Sequence, residues 1–211
     1  MKYLFIGSVL FSKICLDAIK GKDLKEVMVM SPRKADNMDF RDLGGVKFDN
    51  IKDETDTIKI FVPDYIFVIG LSQIIPSSIL SQYKVIGSHP TMLPKMRGHS
   101  PLIWTHVNKL KKSGATLFWM DHGIDTGDIW QQEEFDVPER FWDLYEKAAN
   151  ITAQLLKKGI DELETGIERR IKQDDSLSTW LPKRKKSEWI DLEERWIAFR
   201  YWKGVMKKWE K

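Results

Sequence analysis

Tyr65-Ile66-Phe67-Val68-Ile69, the segment Pro76 to Gln82, and Tyr83-Lys84-Val85-Ile86 follow one another along the chain. They lead into Gly87-Ser88-His89-Pro90-Thr91-Met92-Leu93-Pro94-Lys95-Met96-Arg97-Gly98. Two short apolar runs flanking a segment with proline near its first position predict a strand, a short helix and a second strand. Continuous apolar runs suit strands buried on both faces, and such strands belong to parallel sheets. The second run ends at His89, in a loop whose φ angles are restricted by Pro90 and Pro94.

The same alternation extends in both directions. Tyr3 to Ile6 is a buried-type run ending at Gly7-Ser8, followed by helical spacing at Leu10, Ile14, Leu16 and Ile19. Val27 to Met30 is a further run. Residues 32 to 58 are polar and charged and read as loop, with one weak strand near Val46 to Phe48. Downstream, a helix is expected over Pro101 to Lys112 and strands over Ala115 to Met120 and Ile129 to Phe135. A long helix is expected over 139–164, with Leu144, Ala148, Ile151 and Leu155 on one stripe. Strands alternating with helices predict an α/β fold, a doubly wound and mostly parallel sheet covered on both faces. Ligands of such sheets bind outside the carboxyl ends of the strands, which is where His89 and the Gln73 loop fall. Gly-x-Gly-x-x-Gly is absent after the first strand, which argues against a dinucleotide cofactor.

Composition narrows the classes. The chain has 211 residues, 42% apolar and 31% charged, enough for one α/β domain with a buried core and a short extension. A net charge of +3, with Lys and Arg spread along the chain, does not suggest nucleic-acid binding. The lone Cys15 fits a reducing compartment, and the apolar N-terminal run is too short for a signal peptide or membrane span. A cytoplasmic protein is expected.

His89 and Asp125, the latter in Asp125-Thr126-Gly127-Asp128 after the run Thr116 to Met120, form a plausible acid–base pair if they meet. Each also has a plainer reading: a histidine bonded to backbone at a strand end, and the first polar residue of a turn. Arg97 adds a planar cation to the loop. His99, His106 and His122 lack metal-ligand spacing, so no metal is expected. Lys183-Arg184-Lys185-Lys186 reads as a solvated basic turn or a phosphate-binding cluster. The segment Trp196 to Trp202, with Val205, Met206 and Trp209, predicts a helix apolar around much of its circumference. It is expected to fold back on the domain or to form a homodimer contact.

These residues resemble the formyltransferase family that uses N10-formyltetrahydrofolate. The family pattern Asn-x-His-Pro-Ser-Leu-Leu-Pro-x-x-Arg-Gly, then Asp-x-Gly, corresponds to Gly87 through Gly98 and then Asp125-Thr126-Gly127. Gly70-Leu71-Ser72-Gln73-Ile74-Ile75-Pro76, Ser100-Pro101-Leu102-Ile103-Trp104 and Gly114-Ala115-Thr116-Leu117 extend the match over roughly residues 1–160. The resemblance implies a Rossmann-like catalytic domain over 1–165 and an extension over 166–211 with a basic turn and an aromatic helix. It implies catalytic roles for His89 and Asp125. Gln73, Ile75, Val85, His122, Gly123 and Ile124 would contact the folate co-substrate, and Ser88, Arg97, Lys183 and Arg184 the acceptor. One position departs: where the family has Asn, this chain has Gly87, so a donor to the developing oxyanion must come from Ser88, Gln73, water or His89 itself.

Family acceptors are a purine precursor, initiator methionyl-tRNA or a nucleotide-linked amino sugar. The tRNA enzymes carry a second basic domain, for which the residues after the long helix are expected to be too few. Thr179-Trp180-Leu181-Pro182-Lys183-Arg184-Lys185, then Trp189-Ile190-Asp191, is similar to the sugar-enzyme and tRNA-enzyme pattern. The expected function is formylation of an amino sugar destined for a surface polysaccharide. The alternatives are glycinamide ribonucleotide or another small amine as acceptor, and a catalytically silent folate- or nucleotide-binding relative.

Overall fold

The computed structural model describes residues 1–20, 22, 24, 26–32 and 45–183. Arg184 and the expected aromatic helix lie outside the described residues. The strands are β1 (Lys2–Gly7), β2 (Glu26–Pro32), β3 (Val46–Phe48), β4 (Tyr65–Ile69), β5 (Lys84–His89), β6 (Arg97–Gly98), β7 (Lys112–Trp119), β8 (Ile129–Asp136) and β9 (Trp180–Leu181). The helices are α1 (Leu10–Lys20), α2 (Thr55–Phe61), α3 (Ser77–Leu80), α4 (Pro101–Val107) and α5 (Phe141–Glu164).

Among the described residues, seven strands form one sheet in the order β3-β2-β1-β4-β5-β7-β8. The pairings from β3 to β5 are parallel, and β7 and β8 join antiparallel. The doubly wound, mostly parallel sheet is therefore as the alternation predicts. Successive side chains of a strand point to opposite faces, and the core divides accordingly. Tyr3, Phe5, Tyr65, Phe67, Ile86 and Leu117 pack with α1 and α5 on one face. Leu4, Ile6, Ile66, Val68 and Val85 pack with Phe48, Ile51, Ile58 and Ile79 on the other.

Two local readings are corrected. The end of the expected 32–58 loop, from residue 51 on, instead forms a 3₁₀ turn (Ile51–Glu54) and the start of α2, which runs on to Phe61. Only Ile51 and Ile58 are buried in that stretch, too sparse a stripe to register as helical periodicity. Asn50 caps the turn by accepting from the Lys52 N–H at 3.2 Å. Helix α4 stops at Val107 rather than running to Lys112. Lys109 turns left-handed there, with φ 49°, and Lys112 already belongs to β7.

Candidate functional site

His89 is the last residue of β5, at the carboxyl end of a parallel strand, and is 5% exposed. Strand parity places it, with Val85 and Gly87, on the face covered by α2 and α3, and its cross-strand partner is Thr116. The same parity sends Ser88 to the opposite face, beside Leu117 of the α1–α5 core. Ser88, expected to meet the acceptor or supply a donor, therefore does not share a face with His89. A Cβ on Gly87 would stand 3.0 Å from Met120 Cγ and 3.1 Å from Met120 Sδ and Phe118 Cε1. Apolar atoms fill the space where a larger residue 87 would project.

Because β7 runs against β5, its end at Met120 lies beside Val85, with the Met120 N–H donating to the Val85 carbonyl at 2.8 Å. The connection from Asp121 to Asp128 must fold back over the sheet to bring Asp125 to the imidazole, and it does so. Asp125 Oδ2 lies 3.4 Å from His89 Nδ1 and accepts the Gly98 N–H at 2.9 Å. His89 Nε2 is 2.7 Å from the Met96 carbonyl oxygen. A carbonyl can only accept, so Nε2 holds the proton and Nδ1 presents its lone pair towards Asp125. Burial strips the imidazolium of hydration and lowers the His89 pKa below its ordinary value, outweighing the upward pull of Asp125 and the Met96 carbonyl. The ground state is a neutral imidazole.

Backbone strain is concentrated around this pair. Met96, Ser100 and Asp125 adopt left-handed φ angles of 61°, 54° and 54°. Each costs about 1–2 kcal/mol for a residue with a side chain, so surrounding contacts must hold them. Gly98, at φ 105°, is free of that penalty, and its missing Cβ lets the Leu181 carbonyl approach.

The holding contacts come from after the long helix. Ile171 bridges Ile129 at the start of β8, and Gln173 then enters the site. After a 3₁₀ turn (Asp175–Leu177), β9 pairs in parallel with β6. Thr179 accepts the Met96 N–H at 2.8 Å through Oγ1 and the Arg97 N–H at 2.9 Å through its carbonyl. Arg97, expected to face the acceptor, points inward and is 3% exposed. Its guanidinium donates to Gln173 Oε1 at 2.8 and 3.2 Å and to Asp175 Oδ1 at 2.7 Å. A buried guanidinium needs such acceptors, which makes Arg97 an anchor of the loop rather than a surface cation. Gln173 was missed in the sequence, where nothing distinguishes it from a solvated glutamine.

The expected folate contacts divide. Val85 and Ile75 are buried in the α2–α3 core, with Leu71 and Met120 packed partly buried against it. The Gln73 amide is committed within the fold: it accepts the Ile51 N–H at 2.8 Å and donates to the Asp49 carbonyl at 3.1 Å. It therefore ties the β4 loop to the α2 region through its oxygen and one of its two N–H donors. His122, Gly123 and Ile124 are exposed in a turn in which Asp121 Oδ1 accepts from Gly123 N and Thr126 Oγ1 at 3.0 and 2.7 Å. Ile74, 89% exposed, is an apolar side chain next to the expected positions that sequence spacing did not single out. Lys183 is exposed, just beyond Pro182, whose carbonyl accepts from Trp104 Nε1 at 3.3 Å. Among the described residues, no cluster of His, Cys, Asp or Glu is placed to hold a metal ion. No described helix is long and apolar enough to cross a membrane.

A family model described as formyl transferase matches residues 47–159, a span that runs from β3 into α5 and contains both His89 and Asp125. The chain belongs to the formyl transferase family. A methionyl-tRNA formyltransferase of Syntrophus aciditrophicus is 38% identical over 130 residues, covering 60% of this chain and 42% of that protein. Across the curated relatives compared, the chain spans from 42% to 65% of their length. A methionyl-tRNA formyltransferase from Clostridium thermocellum superposes with TM-score 0.67 at 25% identity, covering 93% of this chain and 80% of that one. An N-formyltransferase from Helicobacter canadensis, solved with folinic acid and dTDP-3-aminofucose, gives TM-score 0.68 at 21% identity over 86% of this chain and 70% of that one. At that identity the likeness speaks for the fold alone.

Proposed function

We propose that the protein is an enzyme that transfers the formyl group of N10-formyltetrahydrofolate to an amine. The observation that carries this reading is the meeting of His89 with Asp125, 3.4 Å apart, through a loop that has to cross the sheet to achieve it. The acceptor amine attacks the formyl carbon and the C–N10 bond breaks. The amine loses a proton to the imidazole, and N10 regains one as tetrahydrofolate leaves. Asp125 stabilises the imidazolium formed in that step. A base acting through Nε2 must present its lone pair there, so turnover requires the other tautomer, with Nδ1–H donated to Asp125 and the Met96 carbonyl displaced. The folate would lie along the turn 121–125, backed by the apolar wall of Val85, Ile75, Leu71 and Met120. With Ser88 on the far face, His89 itself, water or the second N–H of the Gln73 amide is left to meet the oxyanion.

The acceptor we favour is a nucleotide-linked amino sugar, with Lys183 and Arg184 meeting its diphosphate, in the making of a surface polysaccharide. Methionyl-tRNA is the second reading, favoured by the 38% identity to a methionyl-tRNA formyltransferase. The test is turnover of N10-formyltetrahydrofolate with dTDP-3-aminofucose and, separately, with methionyl-tRNA. Formylation of the amino sugar, reduced about 10²- to 10⁴-fold in kcat/KM by His89→Asn, is the expected outcome. Formylation of the tRNA alone would replace the acceptor. No turnover with either, together with no binding of folinic acid, would sink the formyl-transfer reading.

A further inference from the structure

We propose that Gln173 is a positioning residue: it fixes Asp125 opposite His89 and makes that geometry conditional on the docking of segment 173–181. The proposal rests on the formyl-transfer reading for its catalytic meaning, but its geometry stands separately.

Gln173 is 5% exposed, and all four hydrogen-bonding positions of its amide are filled from within the chain. Nε2 donates to the carbonyls of Asp125 at 3.0 Å and Gly127 at 2.7 Å. Oε1 accepts from Arg97 Nε at 3.2 Å and Nη2 at 2.8 Å. Carbonyls can only accept and a guanidinium can only donate, so the partners fix which way round the amide lies. One side chain thereby joins the His89 loop to the Asp125 loop. Asp125 is held at both ends: its carbonyl by Gln173, and its carboxylate by the Gly98 N–H. Gly98 is itself held by the pairing of β6 with β9. The first restraint exists only once the segment following α5 has docked, and the second is steadied by the same docking through β9. Without the first, a left-handed aspartate in an exposed connection has no fixed backbone from which to aim its carboxylate.

Gln173 touches neither reacting atom of the pair, so its effect should be read through His89. The ring titrates in the full-length protein by NMR, its signal assigned by loss in His89→Asn. Gln173→Ala removes all four bonds. Gln173→Met does the same while keeping side-chain volume, and Arg97 retains Asp175 in both. If the alanine variant fails to fold, the methionine variant carries the test. We expect the His89 titration to move to lower pH, towards the value in Asp125→Asn, because the carboxylate that favours the charged ring is no longer held beside it. With whichever acceptor probe turns over, kcat should fall about a hundredfold with KM little changed, as for a catalytic group set out of position. A folded Gln173→Met protein whose His89 titrates as in the wild type would overturn the proposal. A shifted titration in a protein that formylates neither dTDP-3-aminofucose nor methionyl-tRNA would uphold the role of Gln173 and count against the formyl-transfer reading instead.

Discussion

Gly87 is where this chain departs from the pattern it resembles, and its surroundings have closed over the departure. With a Cβ only 3.0 Å from Met120 Cγ, Gly87→Asn alone should crowd the site and lower the melting temperature. The nearest neighbour in the way is the side chain of a methionine, so Met120→Ala should relieve part of the clash, leaving the Phe118 ring, 3.1 Å from the added Cβ, to shift. The double variant is expected to recover stability and to raise kcat above wild type, since one oxyanion donor is worth about 10²–10³ in rate where it has been removed elsewhere. Steady-state kinetics of single and double variants check this, and a double variant no faster than wild type would show that an added amide contributes nothing beyond the donors already present. The parity of β5 explains why sequence alone left the donor open. Ser88 stands next to His89 in the chain but points through the sheet, a distinction that the order of residues contains only once the strand is known to be regular.

At the scale of elements, α5 owes its fit on the sheet to a missing side chain. A Cβ at Gly159 would lie 2.3 Å from Cη2 and Cζ2 of Trp130, a ring buried in the sheet. Gly159→Ala should destabilise by about 1–3 kcal/mol despite alanine's better helix propensity. That corresponds to a fall of roughly 2–12 °C in the melting midpoint for a chain of this size, readable by thermal denaturation. Helix α5 was legible from its stripe of Leu144, Ala148, Ile151 and Leu155, and β1, β4 and β5 from runs with no polar alternation. The same logic could not find α2, whose burial rests on Ile58, nor the two-residue strands β6 and β9, which have no period to detect. The site was legible to the same extent. His89 and Asp125 are reactive residue types at chain positions that suggest strand ends and turns. Arg97 and Gln173 took on their roles only through contacts with each other, and the sequence separates them by the whole of α4, β7, β8 and α5.

For the molecule as a whole, burial of a neutral His89 makes stability depend on pH. The unfolded chain takes up a proton near pH 6.5, whereas the folded chain does so only at lower pH. Below about pH 6.5 the unfolded state therefore binds more protons, and folding stability falls as the solution is acidified. The contribution is fully present above that pH and declines towards the lowered folded value. Urea unfolding across pH 5 to 8 should show this slope, and His89→Asn should flatten it; an unchanged slope would place the burial cost elsewhere. The pairing of β6 with β9 also sets a clock on the newborn protein. The His89 loop leaves the ribosome long before Trp180, and at about 5–20 residues per second the intervening chain takes roughly 4–16 s to make. Throughout that interval the sheet can assemble while the loop waits for its second strand, so a nascent chain can be largely folded and still have an unset active site.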